Sequence, residues 1–265
     1  MQAELDNLRE LSDARRYHME QVERELRLAS RLQRDFLPKK LPNHGRVKFN
    51  RLYRPASHVS GDLYDVRRLD EEHVGVYLAD AIGHGMPAAL LAMFMHNALQ
   101  TKRIGGDGSY ELLASHEAMR HLNETLCGQD LAHTTFATAI YARVNLHTGM
   151  VDFARGGHPL PMLVRAGGEI TELGGEGALL GVMPHESFDP VTLHLAPGDR
   201  LIFFTDGVET LFVPPGSSAD MDCFRAAMRD RRRLGADALL ADLWQYLETR
   251  GKVDDDVTIV TLEMT

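Results

Sequence analysis

Cysteine is scarce in this chain of 265 residues: only Cys127 and Cys223 occur, and they form no CxxC pair. Two buried free thiols in a reducing cytosol are the expectation. Positive charge is in deficit, with 29 Lys and Arg against 38 Asp and Glu and a formal net charge of -9. That argues against nucleic acid as a partner, since backbone binding needs clustered cations. Long apolar runs are missing. The longest, Ala88 to Met95, is far too short to span a bilayer, so no membrane insertion is expected. Residues 1–37 are charged throughout, with no secretory signal, and a cytoplasmic location follows as the expectation. The sequon Asn123-Glu124-Thr125 is then a chance match. No GxxxxGK[ST] loop is present, which disfavours a P-loop nucleotidase.

Glycine and proline are absent from residues 2–37, so this stretch reads as one long helix ended by Pro38 and Pro42. Steps of three and four from position 5 to 36 meet Leu5, Leu8, Met19, Val22, Leu26, Ala29 and Phe36, with Ser12 and Arg15 interrupting. This heptad-like stripe predicts coiled-coil-like self-association, most simply a homodimer; packing against its own domain is the alternative. The division is a linker helix over 1–40 and a globular domain over 41–265.

Beyond the helix, apolar alternation predicts strands at Val47–Tyr53, Leu63–Leu69 and His73–Ala79. Pro87 opens a helix running to about Lys102, and a second helix is expected from Tyr110 to Leu126. Hairpins follow at Phe136–Arg155 and Met162–Leu173, then strands Val191–Leu195 and Arg200–Phe204 and a loop at Pro214–Ser218. Helices at 219–233 and 236–250 precede a last strand, Val257–Glu263. Two antiparallel sheets flanked by helix pairs, an α+β sandwich, is the simplest architecture for this order.

Four aspartate blocks stand at the ends of the strand-like runs: Gly61-Asp62-Leu63-Tyr64-Asp65, Asp80-Ala81-Ile82-Gly83-His84-Gly85, Thr205-Asp206-Gly207 and Asp254-Asp255-Asp256-Val257-Thr258. Strand-end carboxylates suit hard divalent cations. Carboxylates about 4 Å apart repel by roughly 4 kcal/mol at an effective dielectric near 20. Four meeting at one place call for bound cations, and two divalent ions would balance four charges. Gly83 and Gly85 allow an unusual backbone at the turn into the helix.

In this order, together with Gly157-His158-Pro159, the blocks resemble those of bacterial PPM-type, metal-dependent serine/threonine protein phosphatases of the SpoIIE/RsbU-like branch. The resemblance runs from about Ala29 to Leu262. It implies a layered helix-sheet-sheet-helix fold and two Mn²⁺ or Mg²⁺ ions. It implies that Asp80 bridges both, that Asp62 and the Ala81 carbonyl hold the second, and that Asp206 and Asp255 complete the first. Catalysis would run through these aspartates, with a metal-activated water attacking the phosphate. Asp256 is expected to hydrogen-bond rather than ligate, and Asp65 to be structural. His84 is a candidate general acid that the resemblance does not secure, and His158 is expected to order a turn. Arg54 stands too far upstream of Asp62 to be secured as a phosphate binder. The implied substrate is a phosphorylated anti-anti-sigma (STAS-domain) regulator in bacterial partner switching, with an upstream sensor or receiver joined through the helix. A non-catalytic binding module of the same fold and a metallohydrolase of small phosphoesters are the other readings.

Overall fold

The structure is a computed structural model that describes residues 2–129, 135–214 and 217–265, and side chains in the first helix at 7, 9 and from 11 onward. Helix α1 spans Gln2–Phe36. Leu5 and Leu8 lie outside the described side chains, as do Pro215 and Gly216 of the expected loop.

Two five-stranded sheets form the body. In the first the order is β1 (Val47–Arg54), β12 (Val257–Met264), β11 (Arg200–Phe204), β8 (Met162–Val164) and β9 (Ile170–Glu172). In the second it is β10 (Val191–His194), β7 (Met150–Gly156), β6 (Ala137–Asn145), β3 (His73–Ala81) and β2 (Asp62–Arg68). Every pairing is antiparallel. Helices α2 (Met86–Ala98) and α3 (Ser115–Cys127) cover the second sheet, while α4 (Met221–Asp230) and α5 (Ala236–Arg250) lie on the first. The result is the expected α-β-β-α sandwich.

The core follows from strands buried on both faces, whose near-continuous apolar runs leave no solvent side. In β11, Leu201, Ile202, Phe203 and Phe204 are all buried; Leu201 and Phe203 face the space between the sheets, Ile202 and Phe204 the α4–α5 layer. Phe204 stacks at a tilt on Phe224 of α4, 5.2 Å between centroids.

Two expected helix boundaries need correction. Helix α2 ends at Ala98, not near Lys102, and Tyr110–Leu112 is not helical. Lys102–Ile104 (β4) and Tyr110–Leu112 (β5) pair as a small hairpin around the Gly105–Ser109 turn, where Asp107 accepts from the Ser109 N–H and hydroxyl. The turn residues stop the helix periodicity from carrying across. Helix α3 starts only at Ser115, because Asp152 of β7 accepts from both its N–H and its hydroxyl. A carboxylate from another element thus satisfies a free N–H of the helix start. The cysteines are free but half-buried rather than fully buried. Asn123 is buried, donating to Met183 O and accepting from Gly181 N, so the sequon is internal.

The stripe on α1 divides. Met19 and Val22 are exposed, whereas Leu26 and Ala29 are half-buried and Phe36 packs against the core of the body. Phe36 meets His96 of α2 edge-on, 6.1 Å between ring centroids. The lower end of the stripe therefore packs on its own domain, while Met19 and Val22 among the described side chains are free of it.

Candidate active site

Strand register brings the aspartate blocks together. Asp62 opens β2 directly opposite Asp80 near the end of β3. Asp206 follows the end of β11, and Asp255 precedes the start of β12, on the neighbouring sheet. Asp62 is buried, Asp80 is half-buried, and Asp206 and Asp255 are exposed at the mouth.

The burial gradient sets the electrostatics. Burial pushes the Asp80 carboxyl up to about 8, helped by the charges of Asp206, Asp255 and Asp256. Asp62 is also raised, first by burial and then by Asp80. Asp206 is raised by burial and by Asp255; Asp255 is raised by burial and by Asp256. Such mutual elevation marks carboxylates crowded closely enough to repel one another.

Two threonines hold the deepest member. Thr205 and Thr258 both donate their hydroxyls to Asp62 Oδ2, at 2.7 and 2.5 Å. The Thr258 N–H in turn donates to the Thr205 hydroxyl oxygen. The threonines of the Thr-Asp-Gly and Asp-Asp-x-Thr blocks thus serve Asp62, across the gap between the sheets. Sequence reasoning left this role unassigned. Its signal was the recurrence of threonine beside aspartate in two blocks.

Asp256 accepts from the backbone N–H groups of Ala56 and Gly61, at 2.7 and 2.8 Å. It ties down the loop before Asp62, a hydrogen-bonding part as anticipated. The loop passes so close to β3 that a Cβ on Gly61 would stand 2.8 Å from the Ala81 carbonyl oxygen. Gly207 is needed for the same reason, because a Cβ there would run into the Asp256 carbonyl.

The other candidates lie around this cluster. Asp65 faces His96 Nε2 at 3.2 Å and Arg67 Nε at 3.4 Å. His84 is exposed between Gly83 and Gly85, both at positive φ. His158 is buried, pairs with the Thr138 hydroxyl at 2.8 Å, and is pushed down to about 3 by burial and Arg155, so it stays neutral. Thr138 sits opposite Asp80 on β6. Arg54 points elsewhere, donating to Gly251 O and lying over Trp244. A cleft of about 360 Å³ opens beside Asp206, lined by Thr138, Pro159, Glu172, Glu209 and Arg225 among others.

Among the described residues, no three His, Cys, Asp or Glu side chains are already drawn together as an ion cage. The donors nonetheless fit Mg²⁺ or Mn²⁺ in kind, being hard carboxylate oxygens. The repulsion that raises Asp80 is also what a cation would relieve.

Residues 70–265 match the family described as Stage II sporulation protein E (SpoIIE). The chain belongs to the SpoIIE family. Membership covers Asp80, Asp206 and Asp255, while Asp62 lies just outside the matched segment. Among curated relatives, the phosphoserine phosphatase RsbP of Bacillus subtilis is 29% identical over 71% of this chain and 45% of its own length. The phosphoserine phosphatase RsbU of the same organism is 26% identical over 71% of this chain and 54% of its own. This chain thus spans about half the length of these relatives. In fold it is similar to the SiaA-PP2C domain of Pseudomonas aeruginosa, with a TM-score of 0.77 at 23% identity over 94% of this chain and 99% of that one. It is also similar to RsbX in complex with magnesium, with a TM-score of 0.62 at 14% identity over 85% and 99%.

Proposed function

We propose that this SpoIIE-family chain is a metal-dependent phosphoserine/phosphothreonine protein phosphatase, organised as a linker helix over 1–40 and a catalytic domain over 41–265. The observation that carries it is the convergence of Asp62, Asp80, Asp206 and Asp255 from two sheets onto one mouth, with the Asp80 carboxyl pushed up to about 8. Two Mn²⁺ or Mg²⁺ ions would be held by Asp80 between them, Asp206 and Asp255 on one side, and Asp62 with the Ala81 carbonyl on the other. When bound, such ions supply an activated water and a clamp for phosphate oxygens.

The chain's own residues prepare the place for them. Thr205 and Thr258 keep Asp62 Oδ2 turned inward, and Asp256 fixes the preceding loop. Neutral His158, through Thr138, sets the strand opposite Asp80 without adding charge. The cleft beside Asp206 gives room for the residues around a phosphorylated side chain.

The names of RsbP and RsbU, both phosphoserine phosphatases, support the substrate class. A phosphorylated STAS-domain regulator of partner switching is the proposed physiological substrate. The exposed upper stripe of α1 is the proposed homodimer seam and link to an upstream sensor or receiver. Among the described residues no helix is long and apolar enough to cross a membrane. The test is release of phosphate from phosphorylated STAS proteins of the same genome, with Mn²⁺ or Mg²⁺ and with chelator. No metal-dependent release from any protein or peptide phosphoserine, beside turnover of a small phosphoester, would overturn the reading.

A further inference from the structure

Gln33 is the one polar residue of α1 that is buried among the described side chains, at 3% exposure. It stands on the same face as Leu26, Ala29 and Phe36, where an apolar side chain would suit the packing. Its carboxamide makes two hydrogen bonds to one residue of another element. Nε2 donates to the Ser60 carbonyl at 2.6 Å, and Oε1 accepts from the Ser60 N–H at 3.0 Å. Both backbone groups of Ser60 are thereby used, as a neighbouring β-strand would use them.

Ser60 is two residues before Asp62, and its hydroxyl accepts from the Asp62 N–H at 3.1 Å. The next residue, Gly61, donates its N–H to Asp256 and accepts at its carbonyl from Ala81 N. The segment leading into Asp62 is therefore held from two sides, by Gln33 from α1 and by Asp256 from the start of β12. A buried amide has many ways to be satisfied. This one spends both of its functional ends on the peptide that delivers a carboxylate to the site.

We propose that Gln33 is a positioning residue: its carboxamide pins the Ser60 peptide and so sets where Asp62 presents its carboxylate to a divalent cation. This rests on the metal-site reading above. Groups that orient ligands from outside the coordination sphere are worth about 10–100-fold in metal affinity when removed.

The variant Gln33→Met keeps the volume and loses both hydrogen bonds. The test uses the full chain and Mn²⁺ alone, titrated calorimetrically, with amide hydrogen exchange at Ser60–Asp62 and the melting temperature of the metal-free protein. The expected result is an Mn²⁺ affinity about 10–100-fold weaker, with faster exchange at Ser60. Turnover should recover at saturating Mn²⁺. Gln33→Glu keeps the acceptor for the Ser60 N–H and loses the donor, and should fall between. Should Gln33→Met fail to fold, Gln33→Asn keeps the site polar but is one methylene too short to hold both groups, and the same loss is expected. A merely structural amide would lower the melting temperature and leave Mn²⁺ affinity within about twofold, a far smaller change than loss of an orienting group gives; that outcome overturns the proposal alone. Wild-type protein that takes up no Mn²⁺ overturns the metal reading and this proposal with it.

Discussion

Replacing Asp80 by Asn removes one charge from the centre of the carboxylate cluster while keeping the side chain's shape. In the metal-free protein its carboxyl is raised from 3.8 to about 8, which at about 1.4 kcal/mol per unit is on the order of 6 kcal/mol. That is an upper bound, because the Asp80 carboxyl is only half-buried and the exposed Asp206 and Asp255 are screened by water and salt, leaving about 1–2 kcal/mol in practice. A group whose folded value lies above its unfolded one lends its full stability below the unfolded value and loses it as pH rises through the folded value. Metal-free wild type should therefore lose stability between about pH 4 and pH 8, and Asp80→Asn should lose less, since Asp62, Asp206 and Asp255 are still raised and act in the same direction. Each kcal/mol moves the melting temperature of a chain this size by about 2–4 °C, so the metal-free variant should melt roughly 2–8 °C above wild type at pH 8 and match it at pH 4. With Mn²⁺ the order reverses, because only wild type gains from binding. Phosphatase activity of Asp80→Asn at saturating Mn²⁺ should fall well below about a tenth of wild type if, as proposed, the group serves both ions. Differential scanning calorimetry across pH, with and without chelator, reads the first part, and phosphate release reads the second. A metal-free variant that melts below wild type at pH 8, or one that keeps most of its activity, refutes the crowded-carboxylate argument.

Three further outcomes follow from the same geometry. Thr258→Val removes one of the two hydroxyls on Asp62 Oδ2 and should cost about 1.5–3 kcal/mol of stability in denaturant titration; an unchanged midpoint would mean that Asp62 is held by other groups. His84→Ala, at an exposed loop position, should lower turnover less than tenfold and leave the pH profile unchanged, whereas a true general acid would cost about 10²–10⁴. Met19→Asp with Val22→Asp, on the exposed half of the α1 stripe, should shift the protein from dimer towards monomer in light scattering over a concentration series and alter basal turnover; a wild type that is monomeric throughout would leave α1 a tether.

Much of this candidate site was legible because its chemistry is local. Asp62, Asp206 and Asp255 each sit beside a glycine or another aspartate, Asp80 stands three residues before Gly83, and all four lie at strand ends that apolar alternation and turn residues announce. The order of the blocks carried the family resemblance, and the long helix was declared by the absence of glycine and proline before Pro38. What could not be read was which polar group answers which. Thr205 and Thr258 meet on Asp62 from positions 143 and 196 residues away. Asp256 holds Gly61 across 195 residues, and Gln33 holds Ser60 from another element. The start of α3 at Ser115 waited on Asp152 in the same way. A side chain's period along the chain shows which face it occupies, and apolar burial follows from that alone. A hydrogen bond needs a particular donor within about 3 Å, and only the register of two sheets packed face to face decides which donor arrives. The sequence by itself determined the layers, the strand-end carboxylates and the helix; the tertiary structure alone decided the hydrogen bonds that aim them.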